Sequence, residues 1–203
     1  MNTLEKRLRA DAEAILRASI GAVKPDSAVR RALEDARFPG RVFLVAAGKA
    51  AWQMASVARE TLPALAGGVV VTKYGHVKGE IADVACYEGG HPVPDENSLR
   101  GTAAALALTQ DLRADDTVLF LLSGGGSALF EQPLLPLADL QDITRALLAA
   151  GADIVEINTV RKRLSAVKGG RFAAHCAPAQ VFSIVLSDIV GDPVDMIASG
   201  PVS

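Results

Sequence analysis

The sequence predicts a three-layer α/β/α fold built on a mostly parallel sheet. Short apolar runs such as Arg41-Val42-Phe43-Leu44-Val45-Ala46-Ala47 alternate with stretches of helical periodicity. The runs are continuous rather than alternating, the pattern of strands covered by helices on both faces. Only 4% of the 203 residues are aromatic while 50% are hydrophobic, a balance that suits helices packed on a sheet better than a β-sandwich. That apolar share supplies one sizeable core, so residues 1–203 are read as a single domain.

Taken in order, Leu4, Leu8, Ile15, Leu16 and Ile20 recur at three- and four-residue steps, predicting an amphipathic helix over residues 3–20 with one buried stripe. Gly21 is its expected stop. A shorter helix follows Pro25 and ends before Phe38-Pro39-Gly40. The first strand is the 41–47 run, and Gly48-Lys49 leads from it into a helix. Further strands are Gly68-Val69-Val70-Val71-Thr72, Thr117-Val118-Leu119-Phe120-Leu121-Leu122 and Val181-Phe182-Ser183-Ile184-Val185-Leu186. Asp95-Glu96-Asn97-Ser98 supplies capping residues for a helix over 98–112, and Gly151 ends one over 138–150. A helix is also predicted between Asp153 and Gly169. Strand and helix alternate as in a Rossmann-like, doubly wound sheet. Residues 188–203 carry Gly191, Pro193, Gly200 and Pro201 and leave no room for a long covering helix, so the chain is expected to stop early for this architecture.

In such a sheet, ligands bind beyond the carboxyl ends of the strands. The segments at that rim are Gly48-Lys49, Lys73-Tyr74-Gly75-His76, Ser123-Gly124-Gly125-Gly126-Ser127 and Ser187-Asp188. Three successive glycines let backbone N–H groups approach an anion closely, with the flanking serines adding hydroxyls, so the Ser123–Ser127 loop reads as a phosphate or carboxylate cradle. It is no dinucleotide fingerprint, because Leu129 stands where the third glycine of GxGxxG belongs. Nor is Gly48-Lys49-Ala50 a P-loop, since Phe43 replaces the first glycine and Ala50 the Ser/Thr. Lys49 remains a candidate point charge for transferring phosphate oxygens. On the 153–169 helix, Asn158, Arg161, Lys162, Ser165 and Lys168 fall within a sector of about 120°, a cationic face suited to anions, beside a buried stripe of Ile157, Val160, Leu164 and Val167. Asp188 and Asp192 flank the last loop, where a carboxylate could hold Mg²⁺ or accept a hydroxyl proton; Asp188 is the stronger candidate.

Other chemistries find less support. A formal net charge of −2 and a pI near 5.9 leave no basic excess for nucleic acid. No apolar run reaches the ~18–20 residues of a membrane span, and the charged start lacks a signal-peptide core, so a cytoplasmic protein is expected. Cys86 and Cys176 belong to no CxxC pair, and His76, His91 and His175 show no metal-ligand spacing and are read as structural.

Five segments together resemble the two-domain bacterial glycerate 2-kinase family, whose members are often labelled hydroxypyruvate reductase. They are Val45-Ala46-Ala47-Gly48-Lys49-Ala50, Gly89-Gly90-His91-Pro92-Val93-Pro94-Asp95, Leu122-Ser123-Gly124-Gly125-Gly126-Ser127-Ala128-Leu129, Ile157-Asn158-Thr159-Val160-Arg161-Lys162-Arg163-Leu164-Ser165 and Ser187-Asp188-Ile189-Val190-Gly191-Asp192. The resemblance implies Mg²⁺- and ATP-dependent phosphorylation of D-glycerate at its 2-hydroxyl, in a cleft between this N-terminal α/β domain and a C-terminal domain absent from residues 1–203. It implies Lys49 as the candidate for a catalytic or phosphate-stabilising lysine, and Ser123, Gly124, Gly125, Gly126, Ser127, Asn158, Arg161 and Lys168 as the cleft lining. Asp188 is then assigned to Mg²⁺ or to proton handling. Without the second cleft wall, little kinase activity is expected of these residues alone. Two alternatives stand beside this reading: an NAD(P)H-dependent hydroxypyruvate reductase, and a non-catalytic anion-binding domain. The oligomeric state is left open, a homodimer among the options.

Overall fold

The computed structural model describes residues 3–189 and 191–203, all but the side chain of Ile154. Met1, Asn2 and Val190, the last of these within a segment that carries the family resemblance, lie outside the described residues. Five strands, β1 (Val42–Ala47), β2 (Gly67–Lys73), β3 (Val84–Gly89), β4 (Thr117–Ser123) and β5 (Gln180–Leu186), form one sheet in the order β3-β2-β1-β4-β5. All neighbours are parallel. The expected α/β fold is therefore the observed one. β3 is the strand that the sequence does not announce: Val84-Ala85-Cys86-Tyr87-Glu88-Gly89 sits at the sheet edge, and most of it is only partly buried.

The helices are α1 (Thr3–Ala22), α2 (Asp26–Glu34), α3 (Ala51–Thr61), α4 (Glu96–Leu108), the single turn α5 (Gly126–Leu129), α6 (Leu137–Ala149), α7 (Ile154–Leu164) and the short α8 (Arg171–His175). α2 and α3 cover one face, burying Val29, Met54 and Val57 against Leu44, Val70 and Leu119. On the other face, Phe120, Phe130 and Phe172 pack with ring centroids 5.0 to 5.5 Å apart, over Val45 and Val71. Both faces of β1 and β4 are buried throughout, which is why those segments read as unbroken apolar runs. No helix among the described residues is long and apolar enough to cross a membrane.

Local signals hold at several helix ends. Asp95 caps α4 by accepting from Ser98 N–H at 2.9 Å, and the Ser98 hydroxyl accepts in return from Asp95 N–H. Gly151, at φ +72°, ends α6 with Ala152 N–H donating to Leu147 O and Gly151 N–H to Leu148 O, the paired bonds of a Schellman turn.

Two expectations fail here. α1 forms, passing through Gly21, but its predicted stripe is not buried: Leu4, Leu8, Ile15, Leu16 and Ile20 are 58 to 66% exposed. Periodicity defines an apolar face without stating what covers it. The 153–169 helix stops at Leu164, because Ser165 turns extended and pairs with Pro133 while Ala166 N–H donates to Gln132 O. The Arg171 guanidinium covers the freed helix end, donating to the carbonyls of Lys162, Ser165 and Lys168.

At the opposite end of the sheet from the glycine loop, the buried Asp116 carboxylate accepts from Arg41 Nη2 at 2.6 Å and Nε at 3.0 Å, and from Arg113 N–H at 2.7 Å. The Arg41 guanidinium holds this carboxyl well below the usual carboxylate range. A depressed folded-state value adds stability above the ordinary aspartate value near pH 4 and loses it as pH falls through the folded value. Asp116→Asn is expected to be less stable than the parent at pH 7, with the gap closing toward about pH 2. Urea unfolding across that range tests it; a gap that does not change with pH would rule out the carboxylate as its source.

Candidate active site at the sheet crevice

The carboxyl ends of β1 and β4 meet where the strand order reverses, the position at which open parallel sheets bind ligands. The backbone there is tightly interlocked. Lys49 N–H donates to Gly124 O at 2.9 Å, and Ala50 N–H donates to Ser123 Oγ at 3.0 Å. Thr72 Oγ1 donates to Gly48 O at 2.9 Å, and His76 Nδ1 donates to Lys49 O at 2.8 Å. Three adjacent strands thus fix the Gly48–Ala50 backbone, while the Lys49 side chain stays exposed at the rim.

The glycine loop between β4 and α5 is crowded by functional groups. The Asp188 carboxylate lies against Gly124, where a side chain would displace it. Gly125, at φ +88°, leaves room for the His91 ring and the Lys49 stem: a Cβ there would stand 2.9 Å from His91 Cδ2 and 3.1 Å from Lys49 Cε. Gly126 packs under Ala198.

Two cavities flank this ridge and share Gly124 and Asp188 in their walls. The larger, about 690 Å³, runs toward α2 and contains Lys24, Arg31, Lys49 and Ser123. The smaller, about 410 Å³, lies toward α7 and contains His91, Gly125, Ser127, Asn158 and Arg161. Their volumes suit small-molecule ligands, and their polar groups are mostly cationic or neutral, apart from the shared Asp188.

Most of the residues singled out from sequence converge here, in differing states. Ser123 is buried, and its hydroxyl already accepts from Ala50 N–H. Ser127 Oγ bonds Ser199 Oγ at 3.0 Å, Ser199 Oγ donates to Asn158 Oδ1 at 2.9 Å, and Asn158 Nδ2 donates to Met196 O at 3.3 Å. Asn158 is therefore a buried strut that fixes the wall. Arg161 faces the smaller cavity half-buried; burial lowers its pKa, while the negative Glu131 opposes that shift.

Lys168 does not belong to the cavity lining. It is fully buried below α7, with Nζ donating to Phe130 O at 2.7 Å and lying 3.2 Å from Glu131 Oε2. Once the helix ends at Leu164, the 100° spacing that places Lys168 beside Arg161 no longer applies. Lys162 pairs with Asp195 at 3.3 Å, and Ser165 is buried.

Sequence reasoning misses two contributors. His91 reaches the smaller cavity from the loop after β3, itself an unannounced strand. Ser199 returns from the chain end through a 3₁₀ turn (Ile197–Ser199) in which Ala198 and Ser199 adopt φ +51° and +62°. Left-handed backbone at non-glycine residues is uncommon and tends to gather at functional sites. The Gly-Pro pair that follows Ser199 is a turn signal, but nothing local in the sequence says that this turn folds onto α5 and α7.

Among the described residues, no group of three or more His, Cys, Asp or Glu is placed to hold a metal ion. Asp188 is exposed at the junction of both cavities, which fits the way Mg²⁺ is held by one or two carboxylates together with ligand phosphates, rather than by a protein cage.

Comparison with known proteins adds to this geometry. The family described as "Domain of unknown function (DUF4147)" matches residues 11–203. A D-glycerate 2-kinase of Thermotoga maritima is 57% identical over 190 residues, covering 92% of this chain and 45% of the relative. A relative in Agrobacterium vitis with the provisional name hydroxypyruvate reductase is 42% identical, covering 92% of this chain and 43% of its own length. The crystal structure of a glycerate kinase from Thermotoga maritima superposes with a TM-score of 0.88 at 54% identity, covering 97% of this chain and 48% of that one. The chain spans about half the length of the curated relatives it matches.

Proposed function

The chain belongs to the DUF4147 family, and on that premise we propose that residues 1–203 form the N-terminal α/β domain of a glycerate kinase. The longer enzyme would transfer the γ-phosphoryl group of ATP to the 2-hydroxyl of D-glycerate, giving 2-phosphoglycerate and ADP. The observation that carries this reading is the pair of cavities that share Gly124 and Asp188, with Lys49 on the ridge between them. A phosphoryl donor and its acceptor must meet end to end, and two anion-compatible pockets with one common wall provide that arrangement.

The roles follow from position. The Lys49 ammonium neutralises charge on the transferring group, and its immobilised backbone sets where that charge sits. Gly124, Gly125 and Ser127 present backbone N–H groups close to phosphate or carboxylate oxygens, with Ser123 and Gly126 as the supporting frame. Asn158 holds the far wall, and Arg161 pairs with the acceptor's carboxylate. Asp188 would hold Mg²⁺, which supplies charge neutralisation at the donor phosphates when bound. In the transfer itself, the acceptor oxygen forms a bond to phosphorus as the bond to the ADP oxygen breaks, and the hydroxyl proton is released. The remaining cleft wall would come from a second domain. Such an enzyme would act in the cytoplasm on small molecules, with nucleic acid and membranes uninvolved.

Nothing in the crevice favours the reductase name. The third glycine of a dinucleotide loop is replaced by Leu129, which is wholly buried in the core. Calorimetric titration separates the two readings: Mg-ATP should give saturable heat, weakened at least tenfold in Lys49→Met, and NADH none. Binding of NADH without Mg-ATP would discard the kinase reading. Glycerate-dependent ADP release by residues 1–203 alone should be minor.

A further inference from the structure

We propose that His91 is a substrate-contacting residue of the smaller cavity, hydrogen-bonding through its ring nitrogens a small carboxylate- or phosphate-bearing acceptor whose negative charge is met by Arg161. The inference rests on the kinase reading in that it takes this cavity to be the acceptor's side of the ridge.

The three histidines differ in what they already do. His76 Nδ1 donates to Lys49 O at 2.8 Å, and His175 Nε2 lies 3.1 Å from both Leu106 O and Thr109 Oγ1. His91, half-buried in the cavity wall, is the one whose ring nitrogens take no hydrogen bond from the described residues. A partly desolvated imidazole without a protein partner is a group left open for a ligand. Its placement is also constrained. Gly90, just before it, packs against Asp95 Cγ and Val93 O, so the loop from β3 is pinned by the same Asp95 that caps α4. The ring then rests on Gly125, beside the Lys49 stem.

The charges around the ring come from four elements. Lys49 follows β1, Lys73 ends β2 and Arg161 lies on α7; burial above all, and then these three cations, push His91 below its ordinary value, while Asp188 after β5 opposes them. A neutral imidazole offers one donor and one acceptor, so it can orient a hydroxyl or carboxylate without adding to the three cations already present. Arg161 is complementary: half-buried, charged and on the facing wall, it supplies the attraction that His91 does not.

Because the sequence has only three histidines, long-range ¹H–¹⁵N NMR of the imidazoles can follow each one, with His91→Asn used for assignment. Titration of residues 1–203 with D-glycerate, and separately with inorganic phosphate, at constant ionic strength should shift the His91 ring signals saturably and leave those of His76 and His175 in place. His91→Asn should weaken glycerate binding about tenfold, the effect of removing one good hydrogen bond to a charged ligand. A response to phosphate but not to glycerate would keep His91 as an anion contact and remove glycerate as the acceptor. Calorimetric binding of glycerate with the His91 signals unmoved would overturn the role given to His91 and leave the kinase reading intact. Silence of His91 toward both anions would also overturn it.

Discussion

Gly48→Ala is expected to destabilise the chain by about 4 kcal/mol and to abolish Mg-ATP binding. The backbone at Gly48 has φ +119°, a conformation that a side chain strains by about 1–3 kcal/mol. The added Cβ would also overlap Ser123 Oγ and the Ser123 carbonyl, and it would stand 2.8 Å from the carbonyl carbon. That obstacle is backbone, so no rotamer change removes it. β1 and β4 would have to separate at their carboxyl ends, breaking the bonds from Lys49 N–H to Gly124 O and from Ala50 N–H to Ser123 Oγ. Urea unfolding together with calorimetry checks both parts. A variant within about 0.5 kcal/mol of the parent that still binds Mg-ATP would show that the crossing of these two loops is not tight.

The same crossing shows what could be read from the sequence. The strands β1 and β4 announce themselves as apolar runs because helices cover both their faces, and Gly48-Lys49 and Ser123–Ser127 follow directly as the segments at the rim. That the two segments lie on top of one another depends on the strand order, and no local pattern encodes it. β3 escapes notice because it is an edge strand with mixed burial, and His91 is overlooked with it, since its placement depends on the loop that this strand delivers. α1 shows the opposite error: a clear apolar period in a helix whose stripe remains exposed. Ser199 enters the site through a turn defined by tertiary contacts, including Gly169 N–H to Ser199 O and Gly170 N–H to Gly200 O. Lys168 is misplaced for a different reason: the helical pattern continues past Leu164 but the backbone does not, so Ser165 leaves the helix, and a lysine expected at a ligand sits instead in the core.

That buried lysine underlies the second large effect. Lys168→Met is expected to cost about 3–5 kcal/mol, the usual consequence of removing one partner from a buried ion pair. Lys168 and Glu131 are 0 and 1% exposed, and burial holds the lysine below its ordinary pKa even though Glu131 opposes that shift. Without the lysine, the Glu131 carboxyl is left in a core that offers it little else: its backbone N–H is taken by Thr102 Oγ1, and its Oε1 has no hydrogen-bond partner. Phe130 O would lose its donor as well. The double replacement Glu131→Leu with Lys168→Met removes both charges and should recover most of the loss, since apolar groups of similar volume often replace a buried pair without penalty. The pair also sits beneath α7, where Glu131 is the negative charge that acts on Arg161. The double variant should therefore fold nearly as well as the parent and bind glycerate about as well, because the two charges removed near Arg161 are of opposite sign. Chemical unfolding and glycerate titration on the two variants separate the roles. Equal stability of the single and double variants would mean that the cost lies in lost packing; weaker glycerate binding by the double variant would mean that Glu131 helps to set the position of Arg161.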